Sequence, residues 1–215
     1  MSLRRRLAGL PVMRLYRDFR TAKLASDPVE TAYGFRFAGN PAFLSPGWEP
    51  NQRRIITALL PKVAAFVDVG ANHGIYTALA AHAGIQTVAI EPEDGNLRCL
   101  KATIAANGFP TEILPVAISD ASGVLNLFGD GSTASVVQGW AGNTRTSHRL
   151  VPANTLDKLL AARWPGERVQ DRCRRCRGPS ARGRIGDARS QPTSILACKD
   201  TAQRCRYERE DVRLP

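Results

Sequence analysis

The residues best suited to chemistry surround a glycine turn between two apolar runs. Residues 66–77 read Phe-Val-Asp-Val-Gly-Ala-Asn-His-Gly-Ile-Tyr-Thr, which predicts a buried strand, a sharp turn and the first turn of a helix. A second apolar run, at 87–90, ends in Glu91. A glycine turn with an acid at the tip of the next strand, about 20 residues on, is typical of α/β proteins that hold a nucleoside-bearing cofactor.

The composition of the turn indicates which cofactor it would hold. A dinucleotide fingerprint has a second glycine that lets the backbone approach a pyrophosphate. Asn72 stands in place of that glycine, and Asp68, just before the turn, would repel a phosphate. S-adenosyl-L-methionine has an ammonium and a sulfonium and no phosphate, and its carboxylate can use helix N-terminal amides. The alternative is a strand, turn and helix whose glycines serve packing alone.

Each residue near the turn has a predicted role. Glu91 would accept hydrogen bonds from the two ribose hydroxyls, whereas Tyr76 and Thr77 would contact the methionyl carboxylate or simply pack. Asp120 would form a turn or, as a residue at this position does in related folds, contact the adenine amino group. His73 would line the acceptor site or start a helix without a further role. The predicted cofactor-binding residues are Asp68, Gly70, Ala71, Asn72, Gly74, Tyr76, Thr77, Glu91, Pro92 and Asp120. No metal site is expected, and no catalytic residue is assigned.

A series of short motifs occurs in order between about Thr31 and Asp157: Tyr33-Gly34-Phe35, Trp48-Glu49-Pro50, the turn at 67–77, Glu91-Pro92, Ala117-Ile118-Ser119-Asp120, Gly123 and Thr155-Leu156-Asp157. In these motifs the chain resembles the FkbM-type S-adenosylmethionine-dependent methyltransferases. The resemblance implies a Rossmann-like class I methyltransferase fold. It also implies methylation of a hydroxyl oxygen, most often on a sugar, a glycan or a polyketide-type natural product, so the expected partner is a small-molecule or glycan hydroxyl acceptor.

The elements that would position these residues alternate between strands and helices. Strands are predicted at 65–69, 87–90 and 112–118, an extra edge strand at 123–128, and helices at 50–60, 74–83, 93–107 and 154–160. This succession favours a doubly wound parallel sheet. We divide the chain into a helical lead-in at 1–45, an incomplete S-adenosylmethionine-binding domain at 46–169, and an irregular Arg/Cys-rich tail at 170–215.

The tail differs from the rest of the chain. Residues 170–215 hold 12 Lys and Arg against 6 acids, and four of the five cysteines. The resemblance implies that the fourth strand, expected here, reads Lys-Ile-Asp-Val-Glu-Gly-Ala-Glu, with acids near the reacting atoms. The genetic code permits residues 170–177, and the start of residue 178, to be written with the codons CAA GAT CGA TGT CGA AGG TGC CGA GG, which we chose for the comparison. Omission of the first C from this choice yields that strand. We therefore interpret the tail as an out-of-frame translation, which leaves the sheet truncated after its third strand.

Other interpretations of the tail and the chain remain open. Cys173 and Cys176 have the spacing of half a zinc site, but Cys198 and Cys205 are seven apart rather than about three. Otherwise the tail would be a disordered basic segment, or it would bind RNA through its charge. RNA binding is disfavoured because Tyr207 is the one aromatic residue of the tail, and no nucleic-acid partner is expected. The chain as a whole would alternatively be a catalytically inactive cofactor-binding fragment or a nicotinamide-dependent oxidoreductase. Asp68, the acid before the turn, argues against the oxidoreductase.

The start of the chain bears on its location. No apolar run reaches the roughly 18 residues that span a bilayer, and the segment after Arg4-Arg5-Arg6 is a poor signal peptide, so a cytoplasmic protein is expected. A basic amphipathic helix is predicted nearby from Arg14, Leu15, Tyr16, Arg17, Phe19, Arg20, Lys23 and Leu24. A solvated helix face is preferred there over weak peripheral contact with an anionic membrane.

Overall fold

The structure is a computed structural model that describes residues 11–138, 148–161, 163, 169–171 and 195–199. The zinc-site alternative at Cys173, Cys176 and Cys205 lies outside the described residues, as does most of the tail. Within the part of the chain that is described, no helix is both long and apolar enough to cross a membrane.

The described chain forms five α-helices, three short 3-10 helices and ten strands. The helices are α1 (Pro11–Ser26), α2 (Pro50–Leu59), α3 (Ile75–His82), α4 (Asp94–Asn107) and α5 (Leu156–Ala161). The strands are β1 (Val29–Glu30), β2 (Arg36–Phe37), β3 (Ala65–Val69), β4 (Gln86–Ile90), β5 (Thr111–Leu114), β6 (Ala117–Ile118), β7 (Gly123–Phe128), β8 (His148–Asn154), β9 (Val169–Asp171) and β10 (Ile195–Lys199). The predicted helical lead-in thus contains α1 followed by the antiparallel pair β1 and β2.

The central sheet is parallel and has the order β5-β4-β3-β10-β9. Helices α3 and α4 cover one face, where Phe66 packs against α3 and Ala89 packs against α4. Helix α5 covers the other face, where Leu160 packs with Val67 and Val88. All five residues of β3 are buried, as expected for a parallel strand covered on both sides. The predicted mixed α/β fold with a parallel sheet is therefore confirmed.

The prediction that the sheet is truncated after its third strand is wrong. Strand β10 pairs in parallel with β3 over five residues, with Cys198 beside Asp68, and β9 pairs with β10. The physical reason is that an open edge on β3 would leave backbone groups without hydrogen bonds. The apolar run Ile195-Leu196-Ala197 fills this edge, and the arginine-rich composition around it obscured its strand character. Although β9 comes before β10 in the chain, it is the edge strand of the sheet, on the side of β10 that faces away from β3.

The predicted third strand, at 112–118, is divided in the structure. Residues 111–114 form β5 in the central sheet, whereas β6 belongs to a second sheet with the order β6-β8-β7. Pro115 stands at the division, where its missing N–H cannot continue a ladder of hydrogen bonds. The predicted edge strand at 123–128 exists, but it pairs antiparallel with β8 in the second sheet. Strand β8 was not predicted.

Helix α4 has the ends that the sequence predicts. The Glu93 side chain caps its start by accepting the backbone N–H of Asn96 at 2.7 Å. Gly108 follows its end with a φ of 63°, the left-handed conformation common after helices. The cap at Glu93 fixes where α4 begins. It therefore also fixes the short loop between α4 and Glu91, the residue that follows β4.

A candidate cofactor site at the strand ends

The glycine turn folds over the end of the neighbouring strand. The N–H groups of Gly70 and Ala71 donate to the carbonyl of Ile90 at 2.8 and 3.0 Å. Gly70 has a φ of 76°, a left-handed conformation that is unfavourable to a side chain, and it lies in the sharp turn that the sequence predicts. Asn72 is also left-handed, with a φ of 53°, a conformation that asparagine tolerates better than most residues. Gly70 and Asn72 remain partly exposed.

Glu91 connects the turn to the start of α4. Its Oε2 accepts the N–H of Asn72 at 2.8 Å, and its Oε1 accepts the N–H of Glu93 at 2.8 Å and the Asn96 amide at 3.3 Å. Burial raises the pKa of the Glu91 carboxyl to about 7, and these hydrogen bonds oppose the increase. Because Oε2 accepts one described hydrogen bond and has two lone pairs, it retains capacity for a ligand hydroxyl.

Asp68 is a buried acid with one unsatisfied oxygen. It is fully buried, and its Oδ2 accepts the Thr77 hydroxyl at 2.5 Å. Its Oδ1 has no hydrogen-bond partner among the described residues. Burial raises the pKa of the Asp68 carboxyl to about 6. A buried carboxylate oxygen without a partner is costly, and a cationic group would satisfy it. The fully buried Thr77 uses its hydroxyl on this acid rather than on a ligand carboxylate.

The first turn of α3 supports a second acid that sequence reasoning did not select. The Tyr76 hydroxyl donates to Glu49 Oε2 at 2.9 Å. Glu49 precedes α2 and has a φ of 46°, a left-handed conformation that is rare for glutamate. The Trp48 ring stacks on Tyr76 with centroids 6.0 Å apart. Sequence reasoning used Trp48-Glu49-Pro50 only as a mark of resemblance, although a proline at a helix start does signal a boundary.

Arg53 holds the loop that carries this second acid. Its Nη2 donates to the carbonyls of Phe43, Ser45 and Trp48 at 2.9, 3.3 and 3.2 Å. Its Nη1 donates to the Tyr33 hydroxyl at 2.5 Å. One guanidinium therefore fixes three backbone carbonyls, so the loop lies in a defined position against α3. The sequence offers no signal for this role, since the contacts are with backbone rather than with side chains.

His73 is buried and neutral at the start of α3. Its Nδ1 accepts the N–H of Asn40 at 3.0 Å, so the proton of the neutral ring lies on Nε2. Burial lowers the pKa of His73 to about 4. A hydrogen bond with the Asn96 side chain opposes this lowering. In this tautomer Nε2 is a donor, so the ring does not take a proton from an acceptor hydroxyl.

Gly74 serves the packing of α3 against α4. It has a φ of 83°, and a Cβ at this position would collide with Leu100 Cδ1. Its predicted role in binding the cofactor stays a prediction. The contact with Leu100 is a sufficient reason for glycine here.

A separate cavity of about 500 Å³ lies between α1 and the start of α4. His73 contributes to its lining, whereas none of the ten predicted cofactor-binding residues does. Charged groups of both signs line it, and several are paired: Arg149 contacts Glu93 and Asp130, each at 2.9 Å, and Arg17 contacts Asp130 at 3.1 Å. This balance of charge gives the cavity no clear preference for an anionic or a cationic ligand.

The structure brings most of the predicted residues together. Asp68, the turn from Gly70 to Gly74 and Glu91 lie at the adjoining ends of β3 and β4, with Pro92 half-buried beside them. Asp120 is exposed and follows β6 of the second sheet. Its Oδ1 accepts the Ser119 hydroxyl at 3.1 Å, a contact consistent with the turn-forming alternative. Its predicted contact with adenine stays a prediction.

Fold and site together define an open parallel α/β domain with acids at neighbouring strand ends. No protein-family model matches the chain, and no curated protein matches it. The FkbM-type family is therefore not shown. Solved structures do match, over parts of the chain.

Three of these solved structures show the extent of the similarity. A hypothetical protein from Thermus thermophilus is 22% identical with a TM-score of 0.34, and the match covers 42% of this chain and 57% of that one. A SAM-dependent methyltransferase from Agrobacterium tumefaciens is 16% identical with a TM-score of 0.32, covering 41% and 31%. The bifunctional kinase-methyltransferase WbdD is 18% identical with a TM-score of 0.32, covering 46% and 27%. The match thus spans less than two thirds of each neighbour, two of which are named as methyltransferases.

Proposed function

We propose that the chain binds S-adenosyl-L-methionine at the ends of β3 and β4 and is a methyltransferase. The observation that carries the proposal is Asp68, a fully buried carboxylate whose Oδ1 has no partner in the described part of the chain. It immediately precedes the left-handed Gly70 turn. A cationic ligand group next to Oδ1 would offset the cost of burying this acid.

The residues present fit the cofactor. Asp68 would hold its ammonium, and Glu91 Oε2, with capacity for one more donor, would accept a ribose hydroxyl. The backbone at Gly70, Ala71 and Asn72 would lie against the nucleoside, since this turn is partly open to solvent. A second acid, Glu49, precedes α2 and accepts the hydroxyl of Tyr76 in the first turn of α3. The acidic character of this set favours a cofactor with a positive end over a pyrophosphate.

The reaction we propose is O-methylation of a hydroxyl on a sugar, a glycan or a natural product. The cofactor supplies a methyl group on a good leaving group, so the protein must mainly bind and orient the acceptor oxygen. The resemblance of the sequence motifs supports this acceptor class. His73 is neutral with its proton on Nε2, so we assign it no role as the base that removes the proton of the acceptor.

One observation favours a second candidate, a cofactor-binding fragment without activity. The strand beside β3 is Ile195-Leu196-Ala197-Cys198-Lys199, which contains no acid. The resemblance implies acids on the strand at this position, near the reacting atoms. This candidate shares the cofactor site and differs in predicting binding without turnover. The RNA-binding alternative depends on parts of the tail outside the described residues, and we propose no nucleic-acid partner.

Calorimetric titration of the Asp68→Asn variant with S-adenosylmethionine tests the site. Asparagine keeps the shape and an acceptor for Thr77, so the variant mainly removes charge. We expect about 10- to 100-fold weaker binding, the equivalent of one hydrogen bond to a charged group. Asp27→Asn, at an exposed position, is the matched control and should bind like wild type. Equal affinity in both folded variants would exclude Asp68 from the site, and methyl transfer to added hydroxyl acceptors would separate the active enzyme from the inactive fragment.

A further inference from the structure

Three large hydrophobic side chains of α1 lie in solvent. Leu15, Tyr16 and Phe19 are 70%, 54% and 67% exposed, although residues of this size are usually buried. Exposed apolar side chains that are grouped together mark a surface that meets a partner. We infer that α1 docks the protein on an anionic lipid surface, an inference that goes beyond the proposed function and does not use the cofactor site.

The helical repeat divides much of α1 into three stripes. Residues spaced by four and then by three positions lie on one side of a helix. One stripe is partly buried, and the other two, one apolar and one mostly basic, are exposed. The inner stripe is Arg17, Thr21 and Leu24, the apolar stripe is Leu15, Phe19 and Ala22, and the basic stripe is Tyr16, Arg20 and Lys23. The apolar and basic stripes are neighbours on the helix surface, since they are offset by one residue, about 100° around the axis.

Contacts with the rest of the fold hold the inner stripe in place. Arg17 forms an ion pair with Asp130 at 3.1 Å, and the Thr21 carbonyl accepts the thiol of Cys99, in α4, at 3.9 Å. All three residues of the inner stripe also line the cavity between α1 and α4. Because these contacts use the inner side of α1, the apolar stripe faces away from the fold and is presented without rearrangement.

The charge around the apolar stripe indicates which surface it would meet. Arg20 and Lys23 are exposed beside it, and residues 1–26 hold seven Lys and Arg against a single acid, Asp18. Long basic side chains keep their charge in water or among headgroups while their stems lie on apolar surface. A tyrosine ring suits the same depth, since one end is apolar and the other is wet. An apolar stripe with basic neighbours therefore fits the interface of an anionic membrane.

A second copy of the chain fits this side of α1 less well than a membrane does. The chain has a formal net charge of +11, so two copies repel each other as they approach. A twofold contact through the apolar stripes would also bring the two basic stripes close together. An anionic bilayer attracts the same charges. The sequence alone favours a solvated helix face, but such a face would carry polar residues where Leu15 and Phe19 stand.

Co-sedimentation of the full chain with lipid vesicles measures this binding. We expect the chain to bind vesicles of phosphatidylcholine mixed with phosphatidylserine, and to bind vesicles of phosphatidylcholine alone at least tenfold more weakly. Rising salt should weaken binding to the mixed vesicles, because it screens the attraction between exposed charges. No sedimentation of the wild type with the mixed vesicles would overturn the inference.

A pair of substitutions in the apolar stripe tests whether α1 is the part that binds. The Leu15→Ser/Phe19→Ser variant should bind the mixed vesicles at least tenfold more weakly than the wild type. Both side chains are exposed, so the midpoint of urea unfolding should not change. Val124→Ser is the matched control, since it alters an apolar side chain on β7 that is 63% exposed. The control should bind like the wild type, and equal binding by all three proteins would overturn the inference.

A second pair of substitutions separates the basic stripe from the net charge of the chain. The Arg20→Gln/Lys23→Gln variant removes two charges from the stripe, and we expect about tenfold weaker binding to the mixed vesicles together with a weaker dependence on salt. The Arg54→Gln/Lys62→Gln variant removes the same two charges from exposed positions in α2 and just beyond it. It should bind much like the wild type. Equal losses in the two variants would show that binding follows net charge rather than α1, and would overturn the inference.

Sedimentation velocity without lipid excludes or identifies the other occupant. We expect the wild type and the Leu15→Ser/Phe19→Ser variant to sediment alike. A dimer of the wild type that this variant loses would show that the apolar stripe is an interface between copies of the chain, and would overturn the inference. Vesicle binding does not require S-adenosylmethionine, so none of these outcomes decides whether the proposed function is correct.

Discussion

Asp68 and Glu91 are buried acids whose pKa values are raised, to about 6 and about 7, from ordinary values of 3.8 and 4.5. The folded chain therefore retains these protons at pH values where the unfolded chain has lost them. Their destabilising effect on the fold is absent below about pH 4, grows as pH rises, and is complete above about pH 7. A cationic ligand changes this balance, because it favours the ionised acids.

Affinity for S-adenosylmethionine should consequently depend on pH in the opposite direction to stability. We expect binding to strengthen from about pH 5 to about pH 8 and to release protons in the lower part of that range. Calorimetry in buffers of different ionisation enthalpy measures the protons released. The Asp68→Asn variant should show a flatter profile. An affinity that falls as pH rises over this range would show that the ligand does not pair with these carboxylates.

Glu91→Ala should damage the fold as well as the site. The carboxylate accepts the buried N–H of Glu93 and the N–H of Asn72, and alanine would leave both without it. Each unpaired group costs about 1–3 kcal/mol where it is buried, so we expect a lower midpoint of urea unfolding together with weaker cofactor binding. Glu91→Gln retains an acceptor and should be milder in both measurements. A fully stable Glu91→Ala chain would show that the turn is held by other contacts.

At the scale of elements, the packing of α3 against α4 depends on Gly74. Gly74 and Gly84 both have positive φ, 83° and 76°, but a Cβ at Gly74 would meet Leu100, whereas a Cβ at Gly84 would meet nothing within 4 Å. Gly84→Ala therefore measures backbone strain alone, roughly 1 kcal/mol. Gly74→Ala adds overpacking and should cost about 1–3 kcal/mol more. Equal losses in urea unfolding of the two variants would show that Leu100 moves aside without cost.

The sequence predicted the elements that local patterns control and missed those that depend on distant partners. The turn after β3, the capped helix α4 and the acid at Glu91 follow from glycine positions, cap residues and apolar periodicity. Strand β8 was missed because its stability comes from pairing with β7 and β6, which lie far away in the chain. The contacts of Arg53 with three carbonyls, and of Tyr76 with Glu49, were missed for the same reason, since no spacing in the sequence reveals them.

At the scale of the whole molecule, β10 determines whether β3 has a strand paired along its second edge. It covers the edge of β3 over five paired residues, although the tail was predicted to leave that edge open. The out-of-frame interpretation of the tail concerns the gene, so it stays a prediction. Nucleotide sequencing around codon 169 would contradict it if the shifted frame did not encode Lys-Ile-Asp-Val-Glu-Gly-Ala-Glu.

Ending the chain at Asp171 should therefore expose β3. We expect the shortened protein to aggregate at lower concentration than the full chain, because an uncovered central strand presents unpaired backbone groups. Light scattering against protein concentration measures this. A monodisperse shortened protein with an unchanged unfolding midpoint would show that Ile195–Lys199 does not stabilise the sheet in solution.

We propose that the acids at the ends of β3 and β4 select S-adenosylmethionine over a dinucleotide. The most direct test is a calorimetric titration of the full 215-residue chain at about pH 8 with S-adenosylmethionine and, separately, with nicotinamide adenine dinucleotide, since both acids are ionised above their pKa values. Saturable binding of S-adenosylmethionine, with dinucleotide binding at least tenfold weaker, is the predicted result. Tighter binding of the dinucleotide, or no binding of S-adenosylmethionine by the folded chain, would contradict the account.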